Sequence, residues 1–155
     1  ELGGSLKNVI ALAAGIIDGL GFGDNTEAAL ITRGIKEITQ LGVEMGGNAK
    51  TFYGLSGIGD LIVTCNSKHS RNRRAGVLIG KGYTLDEAVK EVKMVVEGAV
   101  SAKAALELAR KYNVSVPIIE AVNQGLFEGK PAIDGMWELM EREQTNEYRD
   151  LQWDE

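Results

Sequence analysis

The sequence predicts an all-α domain, one layer of helices packed on another. Three observations carry this. Apolar residues recur at helical spacing along most of the chain. Only two prolines interrupt 155 residues, and 44% of those residues are hydrophobic. No convincing set of alternating runs of strand length accompanies them.

Residues 6–20, LKNVIALAAGIIDGL, place Val9, Ile10, Ala13, Ile16, Ile17 and Leu20 on one helical face, and Leu12 and Ala14 widen it. GFGDNT at 21–26 is a break, with Asp24, Asn25 or Thr26 as candidate caps for the next helix. Ala28, Ile31, Ile35, Ile38 and Leu41 mark that second long helix, which ends near Gly46-Gly47. LSGIGDLIVTC at 55–65 reads two ways. LIVTC has strand composition, whereas Ser56 before a continuous apolar pattern suggests a capped helix. Only the helix puts Asp60 and Thr64 on one face.

Ala75, Val77, Leu78 and Ile79 suggest a short helix ending at Gly80 or Gly82. Thr84-Leu85-Asp86-Glu87 is a capping box opening another helix, continued by Ala88, Val89 and Val92. Residues 99–111 form another, with Ala102, Ala105, Leu106 and Ala109 on one side and Asn113 as its stop. Pro117 suits a first turn leading through Ile118, Ala121, Val122 and Leu126 to Gly129. Ile133, Met136, Trp137 and Met140 outline a last helix. About seven helices result. Residues 1–140 form the helical domain, and 141–155 form a polar, loosely held tail in which Trp153 is a candidate docking residue.

Composition narrows the function. A formal net charge of −5 argues against broad nucleic-acid binding. Cys65 is the only cysteine, so no disulfide forms within the chain, which fits a reducing cytosol. No apolar stretch reaches the roughly 18 residues of a membrane span, and no signal-peptide pattern opens the chain. The first residue is Glu1 rather than methionine, as in one part of a longer protein.

Gly21-Phe22-Gly23 resembles the start of a dinucleotide-binding loop, but Thr26 stands at the third glycine and a helix precedes it. One histidine and one cysteine cannot make an ordinary zinc site. Lys7 opens an otherwise apolar helix. It reads either as a lysine snorkelling at a helix end or as a proton-exchanging group in a partly dry pocket. Asn8 beside it can orient a substrate oxygen. Asp60 interrupts an apolar run, either as a structural ion pair or cap, or as the partner of a catalytic lysine or substrate hydroxyl. Thr64 falls one helical turn on. In SKHSRNRRAG at 67–76, Ser70 is a good N-cap for a helix starting at Arg71. Free N–H groups and the dipole there favour an anion, and Arg71 adds a bidentate grip on phosphate oxygens. Cations in a first turn oppose the helix dipole, a local conflict of the kind functional sites show. A solvated charge run is the plain alternative.

LKNVIALAAGIIDGLGFGDNT, GLSGIGDLIVTC, SRNRR and VVEG at 95–98, in this order, resemble the C-terminal domain of the NAD(P)-dependent glycerol-3-phosphate dehydrogenases in their bacterial form. The resemblance covers nearly the whole chain. It implies a multi-helix bundle resembling the 6-phosphogluconate-dehydrogenase-like C-terminal domains, placed after a Rossmann domain that this chain lacks. It implies interconversion of sn-glycerol 3-phosphate and dihydroxyacetone phosphate with NAD or NADP, serving phospholipid synthesis in the cytoplasm. The family is expected to act as a homodimer. The resemblance makes Lys7 the general acid/base and Asp60 its partner at the substrate hydroxyls, with Asn8 and Thr64 supporting. It makes Ser70, Arg71 and Asn72 the phosphate-binding segment, and places Arg71, Val95 and Glu97 toward the cofactor. Arg73 and Arg74 take no role beyond surface charge. The choice between NAD and NADP belongs to the absent domain. Two other readings stay open: a purely structural or dimerising helical domain, and the C-terminal domain of another lysine-dependent hydroxy-acid dehydrogenase.

Overall fold

The first helix, α1 (Leu2–Gly19), is the axis of the fold. The computed structural model describes residues 2–50 and 55–150, with side chains through Arg142 except those of Leu55 and Ser56. Val9, Ile10, Ala11, Leu12 and Ala14 on α1 are fully buried, so the middle of the helix is enclosed on every side rather than on the one stripe of an ordinary surface helix.

Seven more helices are described: α2 (Asp24–Glu44), α3 (Leu55–Asn66), α4 (Arg71–Gly80), α5 (Leu85–Val92), α6 (Glu97–Lys111), α7 (Pro117–Phe127) and α8 (Ala132–Asp150); α2, α3, α4, α6 and α7 pack on α1. No strand occurs among the described residues. The 55–65 segment is helix, which resolves its double reading. Leu61 and Cys65 on it are buried while Ile62 and Val63 are exposed, a helical and not an alternating pattern. The helix of residues 99–111 starts two residues earlier, at Glu97.

The α1–α4 contact is the most extensive among the described helices, and glycines make it. Gly15 and Gly19 of α1 face Gly76 and Gly80 of α4. A Cβ on Gly15 would run into the Arg73 carbonyl, and one on Gly19 into that of Val77. In return, a Cβ on Gly76 would meet the Leu12 carbonyl, and one on Gly80 that of Ile16. The two backbones are therefore in direct contact, which only residues without a Cβ permit.

Several ends differ in detail from the sequence expectation. Gly23 occupies the N-cap of α2 with no side-chain cap, so Asp24, Asn25 and Thr26 do not cap it. Asp24 instead lies in the first turn, where its charge suits the dipole. Ala28 is exposed; Leu30, Gly34 and Glu37 line the inner face of α2 with Ile31, Ile38 and Leu41. At the end of α2, Gly46 takes φ +95° and the Gly47 N–H donates to the Gly42 carbonyl at 2.8 Å, the wrap that closes many helices. Thr84 caps α5, accepting from the Glu87 N–H at 3.2 Å, but its hydroxyl also donates to the Glu87 carboxylate at 3.1 Å. Asn113, with φ +54°, follows α6 as the expected stop. Of the expected residues on α8, Met136 is buried, whereas Ile133 and Trp137 are exposed, and the helix runs on to Asp150 through the segment expected as a tail. Trp153 lies outside the described residues.

Glu37 is a buried acid the sequence reading did not single out. Its carboxylate accepts from the N–H groups of Ile118 at 2.6 Å and Ile119 at 3.4 Å. It thus caps α7 from a different helix, just where Pro117 occupies the first turn. Burial pushes its pKa up to about 7, against the opposing pull of those two N–H groups, Arg33 and Arg142.

Candidate functional site

Lys7 stands one turn and a half into α1, where the helix emerges from the core. Its Nζ lies 2.9 Å from Asp60 Oδ2 on α3. The two residues are far apart in sequence, so the pair exists only because α3 crosses α1. Lys7 is 23% exposed and Asp60 61% exposed, which makes this an accessible pair rather than a buried strut. An exposed ion pair alone stabilises a fold little, so its stability value does not account for it.

Around the pair opens a hollow of about 640 Å³ lined by Gly4, Ser5, Lys7, Asn8, Asp60, Thr64 and Glu97. Four expected residues on three helices therefore join Lys7 in one place. Thr64 reaches it because α3 is helical, one turn on from Asp60. Asn8 Nδ2 donates to Glu97 Oε2 at 3.4 Å, linking α1 to the first turn of α6. Gly4 and Ser5 were missed by the sequence reading; they sit one turn before Lys7 and Asn8, and helical spacing alone would have found them.

The basic segment divides its residues among different tasks. Ser70 is the N-cap of α4, its hydroxyl accepting from the Arg73 N–H at 3.3 Å. One of the N–H groups expected to be free for an anion is therefore already engaged. Asn72 is buried, and its Oδ1 accepts from the Gly98 N–H at 2.7 Å. It ties the start of α4 to the residue after Glu97. A Cβ on Gly98 would come within 2.8 Å of that oxygen and 2.7 Å of the Asn8 carbonyl, so this meeting of three helices requires glycine. Arg71 is exposed, and no described residue engages its guanidinium. Val95 is exposed in the turn before α6, beside Glu97. Ser70, Arg71, Asn72 and Val95 do not line the hollow itself; Asn72 connects their side of the molecule to it.

Arg73 corrects the sequence expectation of mere surface charge. It is 15% exposed, with Nη2 2.9 Å from Asp18 Oδ2 on α1. Its Nε donates to the Cys65 carbonyl on α3 at 2.9 Å. The Glu27 carboxyl lies close by, with Oε1 buried and without a hydrogen-bond partner. Burial raises its pKa, Arg73 works against that rise, and Asp18 and Asp24 add to it. Burial likewise pushes the Cys65 thiol up to about 12, so Cys65 is a packed, unreactive thiol. No group of acids, cysteines or histidines among the described residues could hold a metal ion.

Residues 1–136 match the family model described as the C-terminus of NAD-dependent glycerol-3-phosphate dehydrogenase. A glycerol-3-phosphate dehydrogenase (NAD(P)+) of Agathobacter rectalis is 69% identical over 153 residues, 99% of this chain and 46% of that protein. One from Bacillus subtilis is 59% identical over 151 residues, 97% of this chain and 44% of that protein. The chain thus spans about half the length of the curated relatives it matches. Among solved structures, the glycerol-3-phosphate dehydrogenase of Coxiella burnetii superposes with a TM-score of 0.88 at 40% identity, covering 91% of this chain and 43% of that one.

Proposed function

The chain belongs to the family of NAD-dependent glycerol-3-phosphate dehydrogenase C-terminal domains, and from that premise we propose that it is the substrate half of an oxidoreductase interconverting sn-glycerol 3-phosphate and dihydroxyacetone phosphate. The observation that carries the reading is the Lys7–Asp60 pair at 2.9 Å, facing an open polar hollow together with Asn8, Thr64 and Glu97.

Lys7 is the general acid/base. In oxidation its amine accepts the C2 hydroxyl proton as hydride leaves C2. In reduction its ammonium returns a proton to the C2 oxygen. Asp60 holds the lysine in place from across the hollow and accepts from a substrate hydroxyl. Asn8 and Thr64 orient the reacting oxygen. Ser70, Arg71 and Asn72 make the phosphate end, where Arg71, exposed and without a partner among the described residues, suits bidentate binding of a phosphate. NAD or NADP, when bound, supplies the hydride chemistry. The residues of this chain that fit it are Arg71 and Val95, an exposed cation and an exposed apolar side chain, and Glu97, an acceptor on the rim of the hollow. The remainder of that site belongs to an N-terminal Rossmann domain. Action in the cytoplasm as a homodimer completes the proposal. In its support, no helix of the described residues is long and apolar enough to cross a membrane, and exposed Phe127, Ile133 and Trp137 offer apolar surface to a second copy.

Lys7→Ala in the complete two-domain protein is the direct test. Turnover is expected to fall roughly 100- to 10,000-fold, the usual weight of general acid–base catalysis, with cofactor affinity and melting temperature little changed. Turnover within a factor of two of wild type would remove Lys7 from the mechanism.

A further inference from the structure

Arg71 and Arg73 stand two residues apart on α4 and have opposite fates. One is exposed, with no partner among the described residues; the other is enclosed and spends its guanidinium on two other helices. Arg73 sits in the first turn of α4, where a cation is disfavoured by that helix's own dipole. The placement makes sense through its partners. Asp18 lies in the last turn of α1 and Cys65 in the last turn of α3. Both ends carry orphan carbonyls and the negative pole of a dipole, and Asp18 adds an anion where its own helix disfavours one. A single guanidinium satisfies both.

The consequence reaches the hollow. α4 carries Arg71, and α3 carries Asp60 and Thr64. The glycine seam fixes α4 on α1, but α3 and α4 touch each other only lightly. Arg73 is the side chain that joins them, gripping the carbonyl of the residue immediately after Thr64. On the proposed reading of the site, we infer that Arg73 is a positioning residue: it sets the separation between the phosphate-binding cation Arg71 on α4 and Asp60 and Thr64 on α3, which face the substrate hydroxyl beside Lys7. It touches neither substrate nor cofactor. A bidentate guanidinium is suited to the task because its donors diverge from a rigid plane, so both partners are held at once.

The test is a double-mutant cycle with steady-state kinetics on the complete two-domain protein. Arg73→Met is expected to raise KM for glycerol 3-phosphate about tenfold, with kcat falling less than threefold and KM for the nicotinamide cofactor unchanged. Arg73→Lys keeps one of the two contacts and recovers part of the loss. In an Arg71→Ala background, Arg73→Met is expected to leave KM nearly unmoved, because the group it positions is gone. A purely structural arginine would give the same factor in both backgrounds. That additive result, or a lowered melting temperature with unchanged KM, overturns the inference. If Arg73→Met does not fold, Asp18→Asn breaks the same clamp from its other side, and the cycle with Arg71→Ala is read on it instead. A wild-type protein that does not turn over glycerol 3-phosphate defeats the functional reading and this inference with it. An active wild type with an additive cycle defeats this inference alone.

Discussion

Along its C-terminal half α1 meets α4 glycine to glycine, with backbone against backbone and no room for a methyl group. At its N-terminal end the same helix turns Lys7 and Asn8 toward an open hollow lined by polar and charged side chains. The first region is defined by the side chains missing from it, and the second by those that project into it. One rigid element thus serves as foundation at one end and as bench at the other. Substitutions in the two regions should fail in different ways: the seam through loss of fold, the hollow through loss of chemistry in an intact fold.

The largest expected effect breaks the foundation. Gly76→Val places a branched Cβ 2.2 Å from the Leu12 carbonyl oxygen, with two methyl groups beyond it. The helices must separate, at a cost of about 3 kcal/mol or more, the upper range for overpacking. Urea unfolding measures this, and a variant as stable as wild type would show that the seam yields easily.

A second effect of similar size tests the scaffold by pH. The folded pKa of Glu37 lies at about 7, raised from 4.5. The native state therefore holds this proton more tightly than the unfolded chain. The group's contribution is fully favourable below pH 4.5 and is lost as pH rises through 7, a swing of roughly 3 kcal/mol for such a shift. Glu37→Gln removes the titration and retains a carbonyl acceptor for Ile118. Between pH 4.5 and 7.5 the stability difference between variant and wild type is expected to move by that amount in favour of glutamine. Parallel pH curves would remove Glu37 as their cause.

The smallest effect belongs to the hollow's side and sharpens the contrast. Arg71→Ala removes an exposed side chain with no described partner, so the unfolding midpoint should hardly change. KM for glycerol 3-phosphate should rise about 30-fold, equivalent to about 2 kcal/mol for a lost charge-assisted contact. A fall in stability without a change in KM would reverse the assignment of the two arginines.

The helical class, the order of helices and the Lys7, Asp60 and Thr64 grouping were legible because they stem from periodicity and from a resemblance spread over the chain. Ser70 and Thr84 as caps were legible because capping is local. The residues that escaped are those whose partners lie far off in sequence. Arg73 looked like its neighbour Arg71 because charge runs do not show which member turns inward. Glu37 looked like a polar position on an amphipathic helix because its partners are backbone N–H groups some 80 residues away. The paired four-residue spacing of Gly15/Gly19 and Gly76/Gly80 was visible in the sequence, but without the fold nothing says that the two pairs meet.

That seam has a mechanical meaning as well as a steric one. In most helix contacts a layer of side chains, which can change rotamer, separates the two backbones. Between α1 and α4 this layer is absent at four facing positions. Sliding or rolling one helix on the other is resisted by main-chain atoms themselves. A displacement imposed at the start of α4 is therefore passed to α1, and along it toward Lys7, with little taken up at the contact.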